Sequence, residues 1–343
     1  MEQYVGLDVS LKETSLCVVD QTGTTLWQGK CASTPESIAA VLARRAPGAT
    51  RIGLESGLLS TWHWHALKAL GLPVVCLDAR HVKAALSLRL NKTDANDAEG
   101  LAQIVRTGWY RQVQVKSLDS HLIRTLLAAR AGLVAMHRDV ANQIRGALKT
   151  FGLVLGKVAA GAFEARVRQL IAGNPLLVEV IEALLKVWRS TGEQLVTLHR
   201  RVLRHAQTDE TCRRLMTVPG VGAVTAAAFL ATVDDPERFR RSSSVGAYFG
   251  LTPRRCQSGD IDYTGRISKR GDGLMRSYLF EAANVLLTRV STWSTLKAWG
   301  MRLAKRSGAT KAKVALARKL AVILHRLWRD GTSFRWSTKE VSG

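Results

Sequence analysis

Four acidic residues in the first hundred positions are spaced as a metal site would need them. Asp8 lies within the apolar run Val5-Gly6-Leu7-Asp8-Val9, and Glu55 ends Ile52-Gly53-Leu54-Glu55. Asp94 and Asp97 stand three apart in Lys92-Thr93-Asp94-Ala95-Asn96-Asp97, a spacing that puts both on one face of a helix. If the strands of Asp8 and Glu55 are sheet neighbours, their carboxylates converge at one edge, where a packed helix can add the other two. Hard oxygen ligands with no nearby Cys or His favour Mg²⁺ or Mn²⁺ over zinc. Four converging carboxylates repel one another unless cations neutralise them. Two such cations suit phosphoryl transfer, one activating the attacking oxygen and one stabilising the leaving oxygen. Taken singly, each acid has an ordinary explanation: a turn former, an exposed carboxylate, or a charge-favoured first helical turn. The order strand Asp, strand Glu, helix Asp-x-x-Asp is the specific feature.

A second group lies far along the chain. Tyr248-Phe249-Gly250-Leu251-Thr252-Pro253-Arg254-Arg255-Cys256-Gln257-Ser258-Gly259 is followed by Gly265-Arg266-Ile267-Ser268-Lys269-Arg270-Gly271-Asp272 and then Arg276. A serine beside glycine, on what reads as a loop flanked by arginines, can approach a phosphodiester while the cations hold its oxygens. Serine is a weak nucleophile unless activated, and no His-Asp relay is visible, so chemistry alone leaves Ser258 a polar loop residue. Ser268 competes with it for the role, whereas Cys256, without a neighbouring His, reads as a passive thiol. Upstream, Val218-Pro219-Gly220-Val221-Gly222 before an Ala-rich helix has the form of half a helix-hairpin-helix element. There Gly220 and Gly222 would let backbone N–H groups approach a phosphate, and a plain interhelical turn fits equally well.

The elements that must position these groups follow from the apolar pattern. Tyr4–Asp20 reads as two strands around a polar turn, Thr24–Lys30 as a third, and Pro35–Arg45 as a helix capped by Ser33 or Thr34. Arg51–Glu55 is a strand, Ser60–Leu70 a helix, Pro73–Leu77 a strand, and Asp94–Thr107 a helix. The N-terminal part is therefore mixed α/β. Long helical stretches fill Leu118 to Gln207, less regular over Gly152–Gly173 and broken at Asn174-Pro175, which suits a coiled-coil-like spacer or a plain bundle. We divide the chain at 1–115, 116–210 and 211–343, the last part mainly α.

Charge sets the partner class. Fifty Lys+Arg against 27 Asp+Glu give +23, and residues 211–343 hold 24 against 9, a net +15. Such an excess on a folded chain points to nucleic acid, above all for the last third. No apolar run approaches the roughly 18 residues of a membrane span. The first residues carry no basic leader pattern, and five unpatterned cysteines fit reduced thiols, so a cytoplasmic chain is expected.

The blocks Gly6-Leu7-Asp8-Val9-Ser10, Leu54-Glu55-Ser56-Gly57 and Asn91 to Ala98, with Gly250-Leu251-Thr252-Pro253 leading to Ser258-Gly259, resemble the insertion-sequence 110 family of transposases. The similarity spans nearly the whole chain and is weakest over about 115–205. It implies an N-terminal RNase H-like (RuvC-like) domain whose catalytic tetrad is Asp8, Glu55, Asp94 and Asp97. It also implies a C-terminal transposase domain whose DNA-attacking serine is Ser258. Arg254, Arg255, Arg266, Lys269, Arg270 and Arg276, with Gly220 and Gly222, would contact nucleic acid. The resemblance further implies donor and target DNA, a structured guide RNA and a homo-oligomer, dimer or tetramer. A Holliday-junction resolvase-like nuclease working with carboxylates and water, or a non-catalytic nucleic-acid-binding protein, are the alternatives.

Overall fold

The computed structural model describes residues 2–87 and 91–336, in two compact units, 1–116 and 117–343. The first unit is built on a five-stranded sheet. Its strands are β1 (Gln3–Val9), β2 (Glu13–Asp20), β3 (Thr25–Ala32), β4 (Ala49–Glu55) and β5 (Val74–Leu77), in the order β3-β2-β1-β4-β5. The β1–β2 and β2–β3 pairs are antiparallel, and the β1–β4 and β4–β5 pairs are parallel. Helices α1 (Pro35–Arg45), α2 (Ser60–Ala69), α3 (Ala79–Leu86) and α4 (Asp94–Thr107) complete the unit.

Alternation along the strands decides which helix covers which face. Val5, Leu7, Ile52 and Leu54 are fully buried with Ile38 and Leu42 of α1 and Leu67 of α2. The intervening residues, Gly6 and Asp8 on β1 and Gly53 and Glu55 on β4, therefore face the other side, where α4 lies. Of the two caps the sequence offers for α1, it is Thr34 that accepts from Ser37 N–H, with Pro35 at the first helical position. Thr93 does the same for α4, accepting from Asn96 N–H, which fixes the turn carrying Asp94 and Asp97.

The second unit is mainly helical. Helices α5 (Leu118–Thr150) and α7 (Pro175–Thr208) run antiparallel, joined through the 3₁₀ turn Ala160–Ala162 and α6 (Phe163–Ile171). Arg130 meets His199 and His137 meets Trp188 between them. A helix of 33 residues is about 50 Å long. At the end near α6 the pair has its own apolar core, with Ile144, Leu148, Phe163, Val167, Ile181 and Leu185. The segment 152–173, irregular in sequence, thus contains a short helix whose Phe163, Val167 and Ile171 are buried.

At the opposite end, Leu127, Val202 and Ala206 join the larger core of the C-terminal helices. These are α8 (Glu210–Leu215), α9 (Ala223–Val233), α10 (Ser243–Tyr248), α11 (Gly273–Thr288), α12 (Thr295–Ser307) and α13 (Ala309–Arg329). Residues 116–210 therefore supply both an arm and part of the C-terminal core. The remaining element is an antiparallel hairpin, β6 (Pro253–Ser258) and β7 (Ile261–Ile267). It replaces the loop expected around Ser258. All of β6 and all of β7 except Ile267 are exposed, so no apolar alternation marks the hairpin in the sequence. Among the described residues no helix is long and apolar enough to cross a membrane.

Candidate active site

Asp8 and Glu55 sit side by side because of sheet register. Leu7 pairs with Leu54 across the parallel β1–β4 ladder, so the next residue on each strand emerges at the same sheet edge. Two residues before each acid is a glycine whose missing side chain admits α4. A Cβ on Gly6 would lie 2.0 Å from the Ala98 carbonyl oxygen and 2.4 Å from the Ala102 nitrogen. A Cβ on Gly53 would lie 2.4 Å from Val105 Cγ1. The helix therefore presses its backbone directly onto β1, and its first turn holds Asp94 and Asp97 near enough for their charges to act on Asp8.

The electrostatics agree with this convergence. Burial pushes the Asp8 carboxyl above the usual carboxylate range, and the negative charges of Asp97 and Asp94 push it further, against the pull of Lys92 and Lys30. Burial likewise raises Glu55, with Asp8 and Asp97 adding to it and Lys92 opposing. Lys30 of β3 donates to Asp94 Oδ2 at 3.2 Å and lies 3.9 Å from Glu13. A cleft of about 700 Å³ opens beside Asp8 and Glu55, lined by Ser10, Lys12, Ser56 and Ser60 among others. Among the described residues no three His, Cys, Asp or Glu side chains are close enough together to form a finished ligand cluster. The donor set is nevertheless all oxygen, and its mutual repulsion is what a divalent cation would relieve, so the residues present fit Mg²⁺ or Mn²⁺.

The sequence did not single out Lys30 or Lys92, nor the roles of Gly6 and Gly53. The signal was available for the glycines: Gly-x-Asp and Gly-x-Glu on two neighbouring strands mark one face as stripped for a close-packed helix.

In the second unit, Ser258 is exposed and is the last residue of β6, opposite Ile261, with Gly259-Asp260 as the two-residue turn. Gly259 has φ +54°, a left-handed conformation that glycine tolerates. Cys256 lies on the same strand face, opposite Tyr263. The expected nucleic-acid residues divide according to their partners. Arg255 is held by a bidentate ion pair to Asp262, at 2.9 and 2.6 Å. Arg276 donates to the carbonyls of Phe249 and Gly271, and Arg254 to that of Ser268, bonds that brace the hairpin's base. Arg266 and Lys269 line a cavity of about 1180 Å³. Arg270 N–H donates to Ser268 Oγ, a weak bond at 3.4 Å. Gly250 and Gly271, both at positive φ, let the segments before and after the hairpin meet backbone to backbone. A Cβ on either would lie 2.0–2.1 Å from the facing carbonyl oxygen.

The glycines between α8 and α9 also differ. Gly220, at φ +87°, packs against α11, where a Cβ would lie 2.4 Å from the Ala282 carbonyl oxygen. Gly222 precedes α9 in open space.

Residues 5–152 match a DEDD-type model of the IS110 group described as Transposase, and residues 212–298 match the Transposase IS116/IS110/IS902 family. A mixed α/β unit and a basic helical unit, bearing these two signatures between them, define a DNA transposase. The chain belongs to the IS110 family of insertion-sequence transposases. It is 28% identical to the transposase for insertion sequence element IS1111A of Coxiella burnetii, over 97% of this chain and 91% of the relative. It is 32% identical to the putative transposase y4pF/y4sB of Sinorhizobium fredii, over 72% and 65%. A probable family 20 transposase of Pseudomonas aeruginosa is 29% identical, over 80% and 83%.

Proposed function

We propose that this transposase cuts and rejoins DNA through a covalent serine intermediate. Ser258 Oγ attacks a DNA phosphate, an Oγ–P bond forms, and the bond from phosphorus to a deoxyribose oxygen breaks. The departing oxygen takes up a proton equivalent to the one the serine releases. A deoxyribose hydroxyl of the strand to be joined then attacks the phosphoserine, re-forming a phosphodiester and restoring the serine. Bond energy is conserved in the ester, so the exchange runs without ATP, in keeping with a sequence that holds no Walker A motif.

Asp8, Glu55, Asp94 and Asp97 would hold Mg²⁺ or Mn²⁺ at that phosphate. The cation would supply Lewis-acid stabilisation of charge on the phosphoryl oxygens. The observation that carries this reading is the adjacency of Asp8 and Glu55 on neighbouring strands, with the charges of Asp94 and Asp97 at the start of α4 near enough to raise the Asp8 carboxyl. Exposure of Ser258 at a hairpin turn supports its role, since a nucleophile that must meet a DNA strand cannot be buried. The proposed nucleophile and the acids belong to separate compact units. A homo-oligomer, dimer or tetramer, in which subunits share active sites follows from this. The 116–210 helices would serve as its spacer, between a catalytic domain over 1–115 and a transposase domain over 211–343. Donor and target DNA are the substrates, and a structured RNA is the guide; the +23 charge suits both. The chain would act in the cytoplasm, where that DNA lies.

The test is adduct trapping on the element's ends with flanking RNA and Mg²⁺. A protein–DNA band resistant to denaturant, absent in Ser258→Ala, is expected. Strand cleavage without any adduct would instead identify water as the nucleophile and the protein as a resolvase-like nuclease.

A further inference from the structure

A cavity of about 1180 Å³ in the second unit lies between the base of the β6–β7 hairpin and helices α12 and α13. Its lining combines two kinds of side chain. Leu251, Ile267, Val314, Ala315 and Val322 make an apolar floor, and Arg266, Lys269, Lys311, Arg318 and Lys319 supply five cations. No carboxylate lines it, and among the described residues none of the five cations has an ion-pair partner. The Lys319 ammonium sits over the Trp299 ring at 4.5 Å, which holds that charge at the wall rather than leaving it to swing in solvent.

Helix α13 is built for two environments. Ala312, Leu316, Ala317, Leu320, Ala321 and Leu324 are buried in the core. Lys311, Val314, Ala315, Arg318, Lys319 and Val322 fall at the same helical period on another face, and all six line the cavity. A helix serving only as a core element would show solvent-facing polar residues there, with carboxylates among them to balance its cations. This face instead mixes aliphatic and cationic side chains and holds no acid.

We propose that this groove binds a single strand of nucleic acid, unpaired bases lying on the aliphatic floor and phosphates on the cationic walls. Charge complementarity selects a polyanion. The floor selects against a duplex, which keeps its bases stacked inside and offers a concave site only sugar and phosphate. Unpaired nucleotides bring apolar π faces and charge together, the pairing that grooves for single strands use. Because the groove runs along the base of the hairpin that ends in Ser258, the strand it holds is the unpaired stretch leading to the serine. This deepens the proposed DNA-joining role and rests on it.

The test measures binding of the full chain to oligonucleotides of about ten nucleotides, as single-stranded DNA, single-stranded RNA and duplex DNA, over a range of salt. The variant Lys311→Gln/Lys319→Gln removes two groove cations. The control Arg302→Gln/Lys305→Gln removes two exposed cations from α12 that do not line the groove. For single strands the groove variant should lose roughly tenfold in affinity, and its log–log salt slope should flatten by about 1.4. Duplex binding should change little, and the control should behave as wild type. The loss should be at least as large on single-stranded DNA as on RNA, and a loss confined to RNA would overturn the assignment to the strand leading to Ser258. An unchanged single-strand slope, an equal loss on duplex, or the same loss in the control would overturn the proposal. Loss of the Ser258 adduct reading would leave these binding results intact, and failure of the groove would leave the adduct, so the two can fail separately.

Discussion

Replacing Gly6 by alanine tests how the carboxylates are brought together. The added Cβ would stand 2.0 Å from the Ala98 carbonyl oxygen and 2.4 Å from the Ala102 nitrogen, both backbone atoms of α4. Ordinary contact requires about 3.5 Å, so helix and strand must part by roughly 1–1.5 Å. Overpacking of this kind costs about 1–3 kcal/mol. In a unit of this size that lowers the melting temperature by at least about 5 °C. The larger effect falls on chemistry. The displaced helix carries Asp94 and Asp97 away from Asp8 and Glu55, and a misplacement of about 1 Å lowers a reaction by on the order of 10²-fold. Gly53→Ala is the matched comparison, because its Cβ meets Val105 Cγ1, a side-chain atom that a rotamer change can move. Adduct yield on element ends, measured beside DNA affinity and thermal melting, should fall far more for Gly6→Ala than for Gly53→Ala, with affinity preserved in both. A Gly6→Ala protein that melts lower yet forms adduct at the wild-type rate would refute the claim that α4's seating sets the site. One that melts and reacts as wild type would refute the close approach itself.

The raised Asp8 and Glu55 carboxyls have a pH signature. Folded values above unfolded ones mean the native state binds more protons, so the stabilising contribution is present below the unfolded pKa and lost as pH rises through the folded pKa. In metal-free buffer, Asp8→Asn should therefore melt higher than wild type at neutral pH, with the gap closing below the ordinary carboxylate range. Mg²⁺ should raise wild-type melting and leave Asp8→Asn nearly unmoved; equal stabilisation of both would remove Asp8 from the metal site. Ser258→Ala should abolish the protein–DNA adduct, whereas Ser268→Ala and Cys256→Ser retain it; an adduct lost in Ser268→Ala alone would transfer the nucleophile's role. Gly220→Ala should destabilise the second unit by about 1–3 kcal/mol, because φ +87° and the Ala282 carbonyl both oppose a Cβ. Gly222→Ala, which meets no close atom and loses only a favoured N-cap residue, should cost less, about 0.5–1 kcal/mol in a denaturant titration, and equal losses would contradict the packing described for this turn.

Much of the first unit was legible because its signals are local. Pro35 behind Thr34, and Thr93 before Asp94, mark helix starts by caps that the structure contains. The strands announce themselves by buried aliphatics. Convergence of the acids was a conditional reading, since sheet order is not local: it required β4 to lie beside β1 across an intervening hairpin and helix. The β6–β7 hairpin was hidden for a different reason. Arg-Arg-Cys-Gln-Ser buries no face, so the period-two pattern that betrays a strand never forms. Helix α6 escaped because short elements between glycines carry few periods of any kind. The groove beside α13 was masked by composition, its cations merging into a uniformly basic region until packing sorted them by face.

The strands bearing Ser258 extend about 20 Å from their root at roughly 3.3 Å per residue, and every residue of both except Ile267 is exposed. Under the proposed role of Ser258 they would act as a lever whose fulcrum is the glycine clasp of Gly250 and Gly271. A tilt of about 6° there sweeps the hydroxyl through about 2 Å, enough on this scale to engage or miss a phosphorus atom. Aim is thus governed at the fulcrum rather than along the strands. Variation in the strands themselves should be tolerated in proportion to how little it alters their length, and residues remote from the serine should prove the more sensitive to change.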